Sequence, residues 1–469
     1  MTSFDAVIIG AGQAGPPLAG RLAEAGMKVA LVERKFFGGT CINTGCTPTK
    51  TLIATARAAH VARHAGALGV VASGSVRVDL ARAKGRADAI TLESRTWIES
   101  HLRATNGCTV FVGQARFEGP HVVRVGTETL TAPRIFVNVG GRATIPNLPG
   151  VDRTNYLTNS SILKLTELPS HLVVVGGAAV GLEFAQMFRR FGAEVTVVER
   201  ESRLFSREDP DVSECIREVL VGEGVTVRTS ADCIRLAPHP RGASVGVECP
   251  DGPPEIVCSH VLLAVGRTPN TDDLGLEAAG IATDARGYII VDDGLATNVP
   301  GVWALGDCNG RGAFTHTAYN DFEIVAANLL DGEQRKVSER VKAYALYTDP
   351  PLGRVGLTTT QALSTGRPLL TSTRPMTRVL RAAEKGETLG FMKVVVDAET
   401  KQILGAAVLG VNGDEVIHGL IDVMNAKVPY PALVWAVPIH PTVSELIPTL
   451  LRDLRPVAGV PVFERSGAG

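Results

Sequence analysis

Two stretches of the same β-α-β grammar and a change of texture near residue 337 predict an α/β chain. It has two dinucleotide-binding units of similar build, followed by an α+β unit with an antiparallel sheet. In the first stretch, residues 5–10 (DAVIIG) are an apolar, β-branched run that reads as a buried parallel strand. Residues 10–15 (GAGQAG) turn the chain. Residues 16–26 read as a helix that tolerates proline in its first turn and stops at Gly26. Residues 28–33 (KVALVE) form the next strand, ending on an acid. The second stretch, 172–199, repeats this order: LVVVGG, GGAAVG, LEFAQMFRRFG and EVTVVE. The first glycine and the closing acid are 23 positions apart in both, Gly10 to Glu33 and Gly176 to Glu199. An internal repeat of this kind argues for two Rossmann-like domains.

The chain has 469 residues, too many for one core, and length sets a prior of about three domains. Between the two stretches, 52–105 carries Ala-rich helical text, and 108–117, 121–125 and 134–139 read as strands. Residues 258–265 read as a further strand before GRTPN, and 301–305 as a strand leading into GDCNG. From 337 onward come VKAYAL, FMKVVVD and ILGAAVLG, with two helical stretches. The tail 464–469 reads as disordered.

Charge excludes some partners. Lys plus Arg number 47 against 48 acidic residues, so there is no electrostatic case for nucleic acid or an anionic membrane surface. The start has no basic n-region, and no stretch approaches the roughly 18 apolar residues of a membrane span. Six of the eight cysteines are scattered singly, poor material for a secreted disulfide framework. A cytoplasmic protein is expected, without a resident metal centre.

Gly10, Gly12 and Gly15 form G-x-G-x-x-G between a strand and a helix. The first glycine permits a tight turn, the second lets backbone approach a pyrophosphate, and the third lets helix and strand pack closely. The helix N-terminus offers unpaired N–H groups to phosphate, and Glu33 would accept hydrogen bonds from ribose hydroxyls. The second turn runs Gly176-Gly177-Ala178-Ala179-Val180-Gly181, with alanine at the second fingerprint position. Glu199 ends the second unit. A carboxylate there accepts from a free 2′-hydroxyl and repels a 2′-phosphate, which favours NADH over NADPH. Arg200 and Arg203 nearby pull the other way. Thr40, Ala115, Gly140 and Gly266 are further candidate cofactor-binding positions.

Residues 38–50 (GGTCINTGCTPTK) hold the one close cysteine pair, Cys41 and Cys46, within disulfide reach across a distorted helical turn. A thiol near a helix N-terminus has a lowered pKa and is the better nucleophile. Such a pair is a redox centre, a structural disulfide or incidental; its place directly after the first β-α-β unit favours the redox reading.

The 38–50 segment closely resembles the active-site segment of the pyridine nucleotide–disulfide oxidoreductases, which include lipoamide dehydrogenase, glutathione reductase and mercuric reductase. The resemblance covers nearly the whole chain: GLEFA at 181–185, AVGRTPN at 264–270, ALGD at 304–307, TDPPLGRVGLT at 348–358, GETLGFMKVVVD at 386–397 and HPTVSE at 440–445. It implies FAD in the first unit and NADH or NADPH in the second. It implies Cys46 as the charge-transfer thiolate against the flavin and Cys41 as the interchange thiol. Lys50 would pair with Glu183 beside the flavin, and Asp307 would hold the ribityl chain. His440, held by Glu445, would reach across a homodimer interface as acid–base for the thiols.

Three departures from the family pattern bear on the redox centre and its acceptor. Mercuric reductases carry a vicinal cysteine pair near the C-terminus, and no cysteine follows Cys308 here, although LFSREDPDV at 204–212 has the texture of that branch. Thr44 and Thr47 add hydroxyls beside Cys46, either tuning it or satisfying local backbone. His316 stands where the family usually has proline, at the start of a helix expected to face the thiols. It is a candidate modulator of thiolate or flavin charge, against the plainer reading of a capping or solvent-facing residue. Tyr319 is a weaker neighbour.

The expected division is an FAD domain at 1–148 and 270–336, a nucleotide domain at 149–269 and a dimerisation domain at 337–469. The expected activity is FAD-dependent transfer from NAD(P)H through Cys41–Cys46 to a small disulfide or soft metal ion. The alternatives are a lipoamide-dehydrogenase-like subunit of a larger assembly, a mercuric-reductase-like metal reductase, and a flavoprotein reducing oxygen or a quinone. The retained cysteine pair argues against the last.

Overall fold

The computed structural model describes residues 1–71 and 73–457; the tail at 464–469 lies outside the described residues. The first β-α-β stretch becomes strand Ala6–Ile9, helix Gly15–Glu24 and strand Val29–Glu33. Both strands are wholly buried, as their unbroken apolar text requires of a parallel sheet covered on both faces. They occupy the middle of a five-stranded parallel sheet in the order Val302–Ala304, Ile135–Val137, Ala6–Ile9, Val29–Glu33, Cys108–Val112.

The second stretch folds the same way, as strand His171–Val175, helix Ala179–Phe191 and strand Glu194–Val198. Thr226–Arg228 and His260–Leu263 extend its parallel sheet on either side. An antiparallel layer of Asp232–His239, Gly242–Glu248 and Glu255–Cys258 packs Leu236, Val245 and Ile256 onto Val173 and Val175.

The C-terminal region is an antiparallel six-stranded sheet in the order Ala343–Leu346, Leu352–Gly356, Ile403–Leu409, Phe391–Asp397, Leu369–Pro375, Arg455–Pro456. Helix His418–Asn425 and its neighbours cover one face. Two Rossmann-like units and an α+β region are thus the fold that the sequence predicts.

One expected strand divides. Residues 108–117 read as a single run, but Gly113, at φ +154°, turns a corner. Cys108–Val112 stays in the parallel sheet, and Ala115–Gly119 joins a separate sheet with Val122–Val125, Glu128–Thr131 and Thr2–Ser3. The Ala-rich text resolves into helices Cys46–His64 and Leu80–Ala104. Among the described residues no helix is long and apolar enough to cross a membrane.

Helix Cys46–His64 lies against helix Ala179–Phe191, with Leu52 and Ala56 in the same apolar cluster as Leu182 and Phe184. Ion pairs reinforce the contact. Arg57 bonds Asp349 and Glu387, and the buried Arg190 bonds Glu223 and Asp349, each at 2.6 Å. The helix that begins with a cysteine is therefore tied to the second β-α-β unit and to the turn at 348–351.

Candidate active site

Helix Gly39–Thr44 carries Cys41 and stops at Gly45, and Cys46 is the first residue of the next helix. A Cβ on Gly45 would lie 2.8 Å from the Thr40 carbonyl oxygen and 3.2 Å from Cys41 Cα, so only glycine lets the backbone fold back this closely. The fold-back brings the two sulfurs near each other as free thiols, close enough for each to shift the proton affinity of the other.

The two sulfurs are unequal. The hydrogen bond from Cys41 lowers the Cys46 pKa to about 5 against the effect of burial; the Thr315 hydroxyl and the Lys50 charge assist, and Glu183 opposes. Cys41 is pushed up, first by its bond to Cys46 and then by burial. At the start of a 19-residue helix, Cys46 also meets the positive end of the helix dipole.

Lys50 Nζ lies 2.7 Å from Glu183 Oε2 and 4.6 Å from the Tyr347 ring centroid. The Tyr347 N–H donates to Glu183 Oε1 at 3.0 Å. Thr315, which the sequence did not single out, is the hydroxyl that reaches the thiol, with Oγ1 3.5 Å from Cys46 Sγ. Its neighbour His316 is exposed, and its Nε2 donates to the Ala343 carbonyl at 2.8 Å. Thr315 contacts the sulfur and His316 turns to the Ala343 carbonyl, because consecutive side chains at a helix start point in different directions. Tyr319 is exposed and meets Phe322 edge-on. Thr44 and Thr47 accept hydrogen bonds through their carbonyls, from Asn159 and Thr51.

The two glycine turns match in atomic detail. A Cβ on Gly10 would fall 2.2 Å from the Asn138 carbonyl oxygen; on Gly176, 2.5 Å from that of Ala264. Glu33 accepts from the N–H groups of Ala11 and Lys35, at 2.9 and 2.8 Å. Glu199 accepts from those of Gly177 and Glu201, at 2.5 and 2.8 Å. Each acid thus braces its own turn. Ala178, at the second fingerprint position, is exposed. Arg200 is exposed and pairs with Glu201 at 3.1 Å, while Arg203 is half-buried.

A third cluster joins distant motifs. Arg267 Nε donates to Asp307 Oδ2 at 3.3 Å, and its Nη2 donates to Gly141 O at 2.5 Å and Thr40 Oγ1 at 3.4 Å. Burial pushes the Asp307 carboxyl up, and Arg267 opposes that shift. Cβ atoms on Gly140 and Gly266 would enter open space, with nothing nearer than Thr144 Oγ1 at 3.9 Å. Free space at these glycines, with a glycine turn at a helix start and the half-buried Asp307 carboxylate, fits an extended dinucleotide such as FAD. Ala115 is buried in the apolar core beside Val125, so only its backbone is available to a ligand.

His440 Nδ1 lies 2.8 Å from Glu445 Oε2. The histidine stands on a highly exposed apolar segment with Trp435, Val437 and Ile439.

Comparison with known proteins agrees with this geometry. Residues 4–321 match the family described as pyridine nucleotide-disulphide oxidoreductase, and 343–451 match its dimerisation domain. The probable pyridine nucleotide-disulfide oxidoreductase RclA of Escherichia coli is 36% identical over 95% of this chain and 98% of its own length. A mercuric reductase of Bacillus cereus is 34% identical over 88% of this chain and 66% of its own. A dihydrolipoyl dehydrogenase of Chlamydia muridarum is 30% identical over 95% of each. A solved Cu(II) complex of the HOCl-induced flavoprotein disulfide reductase RclA from Escherichia coli superposes with a TM-score of 0.87, at 35% identity, over 96% of this chain and 99% of that one. The chain belongs to the pyridine nucleotide-disulfide oxidoreductases, flavoenzymes that use FAD and a pyridine nucleotide.

Proposed function

We propose that the chain takes reducing equivalents from NADH and delivers them from Cys41 to a small disulfide, with His440 and Glu445 of a second copy serving as the proton donor. The observation that carries this reading is the inequality of the sulfurs: Cys46, beside Lys50 and Thr315, favours the thiolate, and Cys41 keeps the proton. FAD, when bound, supplies the carrier that accepts hydride from the nicotinamide and passes two electrons to the cysteine pair. Gly10, Gly12, Gly15, Glu33, Thr40, Lys50 and Asp307 would hold it, with backbone of Ala115 and Gly140. Gly176, Gly181, Glu199 and Gly266 would hold the pyridine nucleotide. The proposed division is 1–148 with 270–336 for FAD, 149–269 for the nucleotide, and 337 onward for dimerisation.

Reduction breaks the Cys41–Cys46 bond with two electrons and one proton. Cys41 retains the proton and Cys46 the negative charge. Discharge begins when His440 accepts the Cys41 proton and Cys41 attacks one sulfur of the acceptor. The first leaving thiolate takes that proton from His440. Cys46 then attacks Cys41, the disulfide re-forms, and the second thiolate takes a proton from solvent. The exposed apolar segment around His440 is the kind of surface a homodimer covers. A cytoplasmic setting suits a pair that must return to the thiol state.

A second reading, reduction of a soft metal ion, is favoured by the Cu(II) complex of the Escherichia coli relative and by the mercuric reductases. Two Cu(II) ions would each take one electron as the disulfide forms and Cys41 releases its proton. No leaving group needs protonation, so His440 is dispensable there.

The test is anaerobic reduction by NADH and NADPH followed by glutathione disulfide, lipoamide, Hg(II), Cu(II) and quinones, with the parent and His440→Gln. Turnover of a disulfide that collapses in His440→Gln supports the first reading. Cu(II) turnover that survives it supports the second. Failure of both nucleotides to reduce the flavin contradicts each.

A further inference from the structure

Helix Thr315–Leu330 begins at the residue whose hydroxyl meets Cys46. The rings on either side of it, Phe314 and His316, stack with centroids 5.3 Å apart and planes 11° apart. Phe314 stacks in turn on Tyr344, at 5.9 Å and 6°. The Tyr344 hydroxyl donates to Glu208 Oε1 at 2.5 Å, and Phe205 meets its ring edge-on at 6.1 Å. Glu208 pairs with Arg354, and both are buried. Phe205 N–H donates to Gly177 O at 2.8 Å, so the set is also fastened to the second glycine turn. On the outer side, His316 bonds the Ala343 carbonyl, one residue before Tyr344.

We propose that the His316–Phe314–Tyr344 ring stack, anchored on the buried Glu208–Arg354 pair, is a positioning device that holds the Thr315 hydroxyl on the Cys46 sulfur and thereby sets the proton affinity of that thiol. The inference rests on the reading of Cys46 as the electron-accepting thiolate.

Three physical points support it. First, an O–H···S contact at 3.5 Å is weak and directional, so a small movement of the helix start breaks it. Second, Phe314 is 40% exposed, so burial does not explain a phenyl group at that place; stacking does. Third, Tyr344 is held in one orientation. Burial and Glu208 raise its phenol pKa, so it stays protonated and donates.

The other groups facing Cys46 lie on different elements. Cys41 is on the preceding helix, Lys50 one turn along its own, Glu183 on helix Ala179–Phe191, and Tyr347 just past strand Ala343–Leu346. Phe314 and His316 stand apart from all of these elements, whereas Tyr344 lies three residues before Tyr347, so Phe314→Leu and His316→Ala are the cleaner probes of the stack.

The test is the pH midpoint of the thiolate–flavin charge-transfer band in the two-electron-reduced holoenzyme, with thermal melting alongside. Thr315→Val should raise the midpoint by about one pH unit, a ~ten-fold loss of thiolate at a fixed pH on its flank. Phe314→Leu, Tyr344→Leu and His316→Ala should each raise it in the same direction. Tyr344→Phe, which keeps the ring, should stay nearer the parent. Phe314→Leu combined with Thr315→Val should match Thr315→Val alone, since both act through one hydroxyl. Midpoints at the parent value in Phe314→Leu and His316→Ala, even with lowered melting temperatures, overturn the proposal. So does a Phe314→Leu shift that adds in full to that of Thr315→Val. A parent enzyme with no charge-transfer band overturns the underlying reading of Cys46 and the proposal with it.

Discussion

Lys50 Nζ stands 2.7 Å from Glu183 Oε2, and this ion pair joins the helix that opens with Cys46 to the helix that follows the second glycine turn. Both charges act on the Cys46 sulfur, in opposite senses. Lys50→Met removes the cation and leaves Glu183 unopposed, so both changes favour the thiol over the thiolate. The charge-transfer midpoint should rise by at least about one pH unit. Glu183→Gln should move it the other way. Midpoints that move in the same direction in the two variants contradict the assignment.

Acid should titrate the reduced enzyme in a defined window. The folded Cys46 value, about 5, lies below that of a free thiol, about 8.5. The stability this group lends the dithiol form is therefore complete above roughly pH 8.5 and lost as pH falls through about 5. The melting temperature of the dithiol form, measured relative to the disulfide form, should fall between pH 8 and pH 5. A difference that is flat over this range disagrees with a depressed Cys46.

The Glu208–Arg354 pair should behave as a buried ion pair. Arg354 and Glu208 are 2% and 3% exposed. Arg354→Met leaves the carboxylate buried beside only Tyr344, a loss of about 3–5 kcal/mol. Chemical denaturation of the holoenzyme checks this, and a loss under ~1 kcal/mol contradicts it.

Nucleotide choice should follow Glu199. Its carboxylate braces the Gly177 turn, and the proposed NADH preference has it repelling a 2′-phosphate. Glu199→Ala should weaken NADH by roughly ten-fold in kcat/KM and narrow the ratio of NADH to NADPH. Stopped-flow flavin reduction with both nucleotides reads the ratio directly, and an unchanged ratio removes Glu199 as the determinant.

His440 should matter only where a leaving group needs a proton. His440→Gln should slow disulfide reduction by about 10²–10⁴-fold while sparing flavin reduction by NADH. Equal losses in both half-reactions point to a structural role for the histidine.

What the sequence revealed follows from how local each signal is. The two β-α-β units were legible because a buried parallel strand, a glycine turn, an amphipathic helix and a closing acid fall within one short window. The equal Gly10–Glu33 and Gly176–Glu199 spacings reappear as matched carboxylate braces. The cysteine pair was legible for the same reason. The corner at Gly113 was not, since the apolar run before it passes into alternating text (GQARF) that also reads as strand, and one glycine reads equally as a packed strand residue. Thr315 was missed beside the more conspicuous His316. Only the fold brings residue 315 to residue 46, and no periodicity marks a hydroxyl aimed at a sulfur. Arg267, joining Thr40, Gly141 and Asp307, and Tyr344, joining Phe314 to Glu208, depend likewise on contacts between residues far apart in the chain.

The central claim is that Cys41 and Cys46 form the electron store between the nucleotide and the acceptor. Its most direct test is anaerobic titration of the oxidised holoenzyme with NADH, counting free thiols and following flavin absorbance, for the parent and for Cys46→Ser. In the parent, the first equivalent should release two titratable thiols and raise a charge-transfer band while most flavin absorbance is retained; Cys46→Ser should bleach its flavin at once with no band. Flavin that bleaches fully on the first equivalent in the parent, with no new thiols, would contradict the account.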